Sequence, residues 1–165
     1  MDTTGRLTTI EISKEDIKFS AAHFTVFSAS ERERLHGHNY FVAIAFTAPV
    51  GPNGLCFSYK EVKNRLRSLC DSLDEYMLLP QYSPWLQIRE EASSWVVTFN
   101  NDTMYFLKQD TLLLPVSNIT LEELSRYLLE AFLADQAFVR DSGLQQVTLR
   151  VSSGAGQWGA CHWAA

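Results

Sequence analysis

The chain has four histidines, and two of them, His36 and His38, stand two residues apart where an apolar run begins. On a β-strand, residues i and i+2 project from one face. Two imidazoles side by side can share one metal ion. His23 lies in a segment where Ile17, Phe19 and Ala21 alternate with Lys18, Ser20 and Ala22. It has the parity of Ile17 and Phe19, so it points inward with them and can supply a third nitrogen from a neighbouring strand. Three histidine nitrogens with an open fourth position form the donor set of catalytic rather than structural zinc. Imidazole also suits iron and nickel, so residue type alone does not choose the metal. The spacing equally fits His36-Gly37-His38 as an exposed turn and His23 as a satisfied core histidine. The fourth histidine, His162, sits in the aromatic stretch 158–163 and is expected to be structural. Trp158 and Trp163 there suit a core or interface role, with stacking on a flat ligand as the alternative.

Several elements must position these groups. Residues 7–27 read as one or two strands and 28–34 as a polar loop. Residues 35–48 read as a second strand, ended by Ala48-Pro49-Val50-Gly51-Pro52-Asn53-Gly54. Over 58–73, Tyr59, Val62, Leu66, Leu69 and Leu73 make one helical stripe. Pro80 and Pro84 punctuate the chain, and 95–99 and 103–107 flank Asn100-Asn101-Asp102 as a hairpin. Residues 112–114 lead to Pro115. Thr120 with Glu123 reads as a capping box opening a second helix, whose apolar face is Leu121, Leu124, Leu128, Ala131 and Phe132. The last strands are 145–152 and 158–163. Two helices among strands joined by short turns indicate α+β rather than a doubly wound parallel sheet. No glycine-rich phosphate loop follows any strand.

The composition sets outer limits. A length of 165 residues predicts a single domain, 1–165. With 46% hydrophobic and 20% charged residues the chain can bury a core. Its 14 Lys+Arg against 19 Asp+Glu give a formal charge of −5, which disfavours nucleic acid and anionic membrane surfaces as partners. The start is polar and no apolar run approaches about 18 residues, so a cytoplasmic protein is expected. The three cysteines, Cys56, Cys70 and Cys161, are widely spaced and make no CxxC pair, so they are expected to be reduced and structural.

Two motifs, Phe19-Ser20-Ala21-Ala22-His23-Phe24 and Leu35-His36-Gly37-His38-Asn39-Tyr40, in this order and near this spacing, resemble the 6-pyruvoyl-tetrahydropterin synthase family, which also holds the 6-carboxy-tetrahydropterin synthases of the queuosine pathway. Gly54-Leu55-Cys56-Phe57-Ser58-Tyr59 resembles that family's strand-to-helix entry, Leu73-Asp74-Glu75 its Leu-Asp-His, and Thr120-Leu121-Glu122 its Thr-x-Glu. The resemblance spans most of the chain except 81–117, which reads as an inserted hairpin region. It implies the tunnelling fold, an antiparallel β-sheet with two helices on one side. Subunits of that fold join into an oligomeric β-barrel, commonly a homo-hexamer of two trimers. His23, His36 and His38 match the family's zinc ligands, and Thr120 and Glu122 its substrate-binding residues. The implied substrate is a small pterin, dihydroneopterin triphosphate or a relative.

The departures are as informative. The family's usual general base is a cysteine just before His-Gly-His, and none of the three cysteines lies there. Ser30 stands where the animal enzymes have theirs and Arg32 where the queuosine enzymes do. Glu33-Arg34-Leu35-His36-Gly37-His38 instead resembles the branch, typified by malaria-parasite homologues, in which a glutamate replaces the cysteine and 6-hydroxymethyl-dihydropterin is released. Glu33 then reads as the catalytic base, with Asp74 and Glu75 in support, Glu75 standing where the family has histidine. The family's late-strand glutamate has no counterpart, because no Asp or Glu follows Asp141. Two expectations result: a zinc-dependent pterin lyase of the glutamate type, or a zinc-binding homologue that has lost pterin turnover or changed its substrate.

Overall fold

The computed structural model of the protein describes residues 5–165; residues 1–4, part of the polar start, lie outside them. The chain begins with two long strands, β1 (Leu7–His23) and β2 (His36–Pro49), paired antiparallel. β1 is one strand with an interruption. Between Ser13 and Lys18 it advances five residues while β2 moves only two, from Ala43 to Phe41. The bulge reverses parity, so Ile12 before it and Ile17 after it face the same core.

Then come α1 (Tyr59–Asp71), β3 (Tyr76–Pro80), β4 (Gln87–Glu91), β5 (Ser94–Phe99), β6 (Asp102–Leu107) and, after one 3-10 turn, β7 (Thr111–Leu114). The chain ends with α2 (Leu121–Leu133), the short α3 (Gln136–Asp141), β8 (Gln146–Gly154) and β9 (Gln157–Ala164). The main sheet runs β7-β3-β1-β2-β8-β9. Its β1-β2-β8-β9 part is antiparallel, as expected, but β3 and β7 add on in parallel, so the sheet is mixed.

One face carries Phe19, Ala21 and His23 of β1, Tyr40, Val42, Ile44 and Phe46 of β2, and Val147, Leu149 and Val151 of β8. The apolar stripes of the helices, including Leu66, Leu124, Leu128 and Phe132, pack there to form the larger core. The opposite parity of β1 and β3 presents Ala22, Met77 and Leu79, joined by Phe24 just past β1, to a second cluster with Val97 and Phe99. These last two belong to a separate three-stranded sheet, β4-β5-β6. The hairpin expected at Asn100-Asn101-Asp102 is its β5–β6 turn, where Asn100 takes a positive φ of 52°, a conformation asparagine tolerates. Among the described residues no helix is long and apolar enough to cross a membrane.

Candidate metal and substrate site

The β1–β2 register sets His23 directly opposite His36 and Ala21 opposite His38. All three imidazoles stand on the helix-side face, at the open end of the main core. Below them Tyr40 stacks on Phe19 at 5.0 Å and turns its edge toward His23 and His38. One nitrogen from each histidine lies within 4.8 Å of the other two. The sheet therefore brings together the three residues that spacing alone left open.

Backbone carbonyls orient the rings. His23 Nδ1 lies 3.0 Å from Ile119 O, and His36 Nδ1 lies 2.7 Å from Arg34 O. A carbonyl only accepts, so each Nδ1 carries its proton and each Nε2 presents a lone pair. His23 Nε2 is buried with no hydrogen-bond partner among the described residues. The Nε2 atoms of His36 and His38 are 3.0 Å apart. A tetrahedral ion with bonds of about 2.0–2.1 Å holds its nitrogens about 3.3 Å apart, so this donor set fits a small divalent cation.

The charge states fit as well. Burial, reinforced by neighbouring His36, pushes the His23 pKa down to about 4, and the same two causes lower His38. Neutral imidazole is the ligating form. The depressed His23 pKa also has a consequence for stability. The unfolded chain takes up this proton near pH 6.5 and the folded chain only near pH 4. The contribution is present above pH 6.5 and lost as pH falls through that window. Metal-free wild type should lose on the order of 3 kcal/mol more than His23→Gln between pH 7 and pH 4, read by urea denaturation.

Glu33 lies beside the triad, its Oε2 3.9 Å from His36 Nε2. Thr25 N–H donates to the same oxygen at 2.9 Å, and Glu33 N–H donates to Thr25 O at 2.9 Å. Burial alone would raise the Glu33 pKa, but the Thr25 amide and the nearby histidines bring it below the ordinary carboxylate value. It is an ionised acceptor at neutral pH. Ser30 and Arg32, where the resemblance would place a cysteine, line a depression with Phe99 and Asp102 that Glu33 also borders.

A cavity of about 670 Å³ opens against two members of the triad, while His36 stands outside its lining. His23, His38, Glu33, Thr120 and Glu122 all line it. Thr120 is the N-cap of α2, its Oγ1 accepting from Glu123 N–H. The return half of the expected capping box is redirected: the Glu123 carboxylate accepts from Ser117 N–H and pairs with Arg126. Gly159 of β9 forms another part of the wall. A Cβ there would come within 2.7 Å of Leu121, so only glycine lets β9 lie this close to the start of α2. Val151 is committed to the core, and Ser153 is the late-strand residue that reaches the cavity. Trp158 lines its rim, with the Arg150 guanidinium 5.4 Å from its ring. Trp163 packs on the main core, and His162 bonds Thr148 away from the triad.

Asp74 and Glu75 do not line this cavity within one chain. Asp74 accepts from Ser20 N–H at 2.7 Å, and Glu75 N–H donates to Ser20 O at 2.7 Å. Glu75 lines a second groove, with Ser20, Asn39 and Tyr76, that shares His38 with the first.

Asn118 carries no signal in the sequence, yet it fastens the site. Its side chain accepts from Val26 N–H at 3.1 Å and donates to Val26 O at 2.8 Å. The loop bearing Glu33 is thereby joined to the start of α2. Asn118→Ala should cost about 2 kcal/mol, because buried backbone groups lose their partner, and lower the melting temperature by about 4–8 °C in a thermal scan.

The family model described as 6-pyruvoyl tetrahydropterin synthase matches residues 11–159. An archaeal protein from Methanocaldococcus jannaschii, provisionally named a 6-carboxy-5,6,7,8-tetrahydropterin synthase, is 24% identical over 147 residues, covering 88% of this chain and 89% of its own. The crystal structure of 6-pyruvoyl tetrahydropterin synthase from Plasmodium vivax superposes with a TM-score of 0.92 at 26% identity, over 97% of this chain and 99% of that one. The same parasite protein with its catalytic-residue glutamate changed to alanine gives a TM-score of 0.93 at 26% identity, over the same shares. With the family model covering all but the ends of the sequence, and its motifs on the strands and helix start just described, this chain belongs to the 6-pyruvoyl tetrahydropterin synthase family.

Proposed function

We propose that the protein is a zinc-dependent lyase acting on dihydroneopterin triphosphate or a closely related pterin, with 6-hydroxymethyl-dihydropterin as its product. The observation that carries this reading is the clustering of the three histidines, with His23, His38, the ionised Glu33 and the cap Thr120-x-Glu122 lining one cavity. His23, His36 and His38 would hold the ion. When bound, the ion supplies Lewis acidity that makes side-chain hydroxyl protons of the substrate easier to remove. Zinc is the choice that an all-imidazole donor set with an open position favours.

The remaining tasks fall to the chain. Glu33 Oε2 takes the proton from the hydroxyl on the second side-chain carbon. The bond between the first and second side-chain carbons then breaks, the second carbon leaving as an aldehyde that keeps the triphosphate. The electron pair left on the first carbon takes a proton, which gives the hydroxymethyl product. Thr120 and Glu122 bind the ring end, where a carboxylate can pair with the guanidine-like edge of a pterin. Asp74 and Glu75 support proton handling from the neighbouring groove. The catalytic glutamate named for the parasite relative supports giving the base role to Glu33. Assembly into a homo-hexamer of two trimers, within a single-domain cytoplasmic protein, belongs to the same proposal.

One observation favours a second reading, a homologue with a changed substrate or without turnover. Ser153, not an acid, reaches the cavity from the late strand, so one charge pairing with the ring is missing. The deciding experiment is incubation of zinc-loaded protein with dihydroneopterin triphosphate, with products identified by mass spectrometry. 6-Hydroxymethyl-dihydropterin is expected. Unchanged substrate, from folded and metal-loaded protein, would overturn the first reading in favour of the second.

A further inference from the structure

The loop between β1 and β2 is tied at several points. Val26 and Arg32 pair across it as an isolated antiparallel bridge, and the Phe27 and Ser28 amides donate to Glu31 O. Those bonds close the loop on itself. A different contact joins it to the three-stranded sheet. The Arg32 guanidinium lies 5.2 Å from the ring centre of Phe24 and 5.7 Å from that of Phe99, while its Nη1 donates to Glu33 O at 2.9 Å. Phe24 and Phe99 are both buried, in the cluster that unites the main sheet with β5. Their rings are therefore fixed points. The Arg32 side chain is only 22% exposed, so the cation meets the rings in a partly desolvated setting, where such contacts are stronger than on an open surface. Its ion pair with Asp102 is longer, 3.8 Å, and Asp102 is exposed, so that pair adds little.

We propose that Arg32 is a positioning residue, clasping the backbone of Glu33 to Phe24 and Phe99 so that the β4-β5-β6 sheet braces the carboxylate beside the histidine triad. This gives the 81–117 segment a task at the site although β4, β5 and β6 contribute none of the residues lining the main cavity. Only a planar, multi-donor cation can face two rings and bond a carbonyl at once, so lysine should serve in part and alanine not at all. The proposal rests on Glu33 acting as the base.

The test compares wild type with Arg32→Ala, Arg32→Lys and Phe99→Leu. Bound zinc should stay the same in all four. Amide hydrogen exchange over 27–34 should quicken about 10-fold in Arg32→Ala, with β2 unchanged and Arg32→Lys intermediate. With pterin substrate, kcat should fall about 10–100-fold in Arg32→Ala while KM stays within about 2-fold, since a displaced base affects the chemical step rather than binding. Phe99→Leu, which keeps the apolar packing but removes the ring face, should follow in the same direction. Unaltered exchange over 27–34 in Arg32→Ala, or faster exchange with wild-type kcat, would overturn the proposal. If wild type turns over no pterin, the base assignment fails on its own, and exchange with its lysine rescue still decides whether the clasp exists.

Discussion

His38→Ala is expected to reduce bound zinc from about one ion per chain to background, measured by elemental analysis after dialysis. Removing one of the three proposed ligands leaves two, and among the described residues no further His, Cys, Asp or Glu joins the cluster. Glu33 is the nearest carboxylate, but its Oε2 is already bound to the Thr25 amide, 3.9 Å from His36 Nε2. His38 is also the one histidine of the triad shared by the main cavity and the groove of Glu75, so its loss touches both. Turnover should fall by at least about 10³-fold, because the metal carries charge stabilisation worth several kcal/mol. The fold should survive, since His38 is only partly buried and the core beneath it is built from Phe19, Tyr40 and their neighbours. Equal zinc in wild type and variant would remove His38 from the ligand set.

Glu33→Gln is expected to do the reverse: keep zinc and folding, and lose chemistry. Glutamine preserves the shape and can still accept the Thr25 N–H through its amide oxygen. It cannot take up a proton. General-base removal typically costs about 10²–10⁴-fold, and here kcat should bear the loss while KM changes little. Read with His38→Ala, the pair separates metal binding from proton transfer. Wild-type activity in Glu33→Gln would take Glu33 out of the mechanism.

The histidine triad was legible in the sequence because β-strands impose a two-residue period. His23 shares a face with Phe19, and His36 and His38 share one with Tyr40; the partnering of the two strands did the rest. The helices were legible from their apolar stripes. Four elements were less so. β4 contains one apolar residue, Ile88, between charged and polar ones, so it has no alternation to detect. β3 is buried at four of five positions, and such a continuous run carries no period. α3 is too short for a stripe to develop and declares itself mainly through its Asp135 cap. The parallel pairings of β3 and β7 depend on long-range packing that no local pattern encodes. Within the site, Asn118 and Arg32 were silent for a related reason. Each acts on the backbone of a segment remote in sequence or on rings of another sheet, and single polar residues in loops have no period at all.

The bond from His23 to the Ile119 carbonyl spans 96 residues. A contact of that separation forms late, since the intervening chain must be closed before the bond can reward it. Until then His23 is free to carry its proton on either ring nitrogen, and the loop of Glu33 lacks its Asn118 fastening. During synthesis the two strands bearing all three histidines emerge well before the segment that orients them. High-affinity ion capture should thus mark the end of folding rather than seed it. A ribosome-bound chain stalled short of Ile119 would hold the metal loosely, and one extended beyond α2 would hold it firmly.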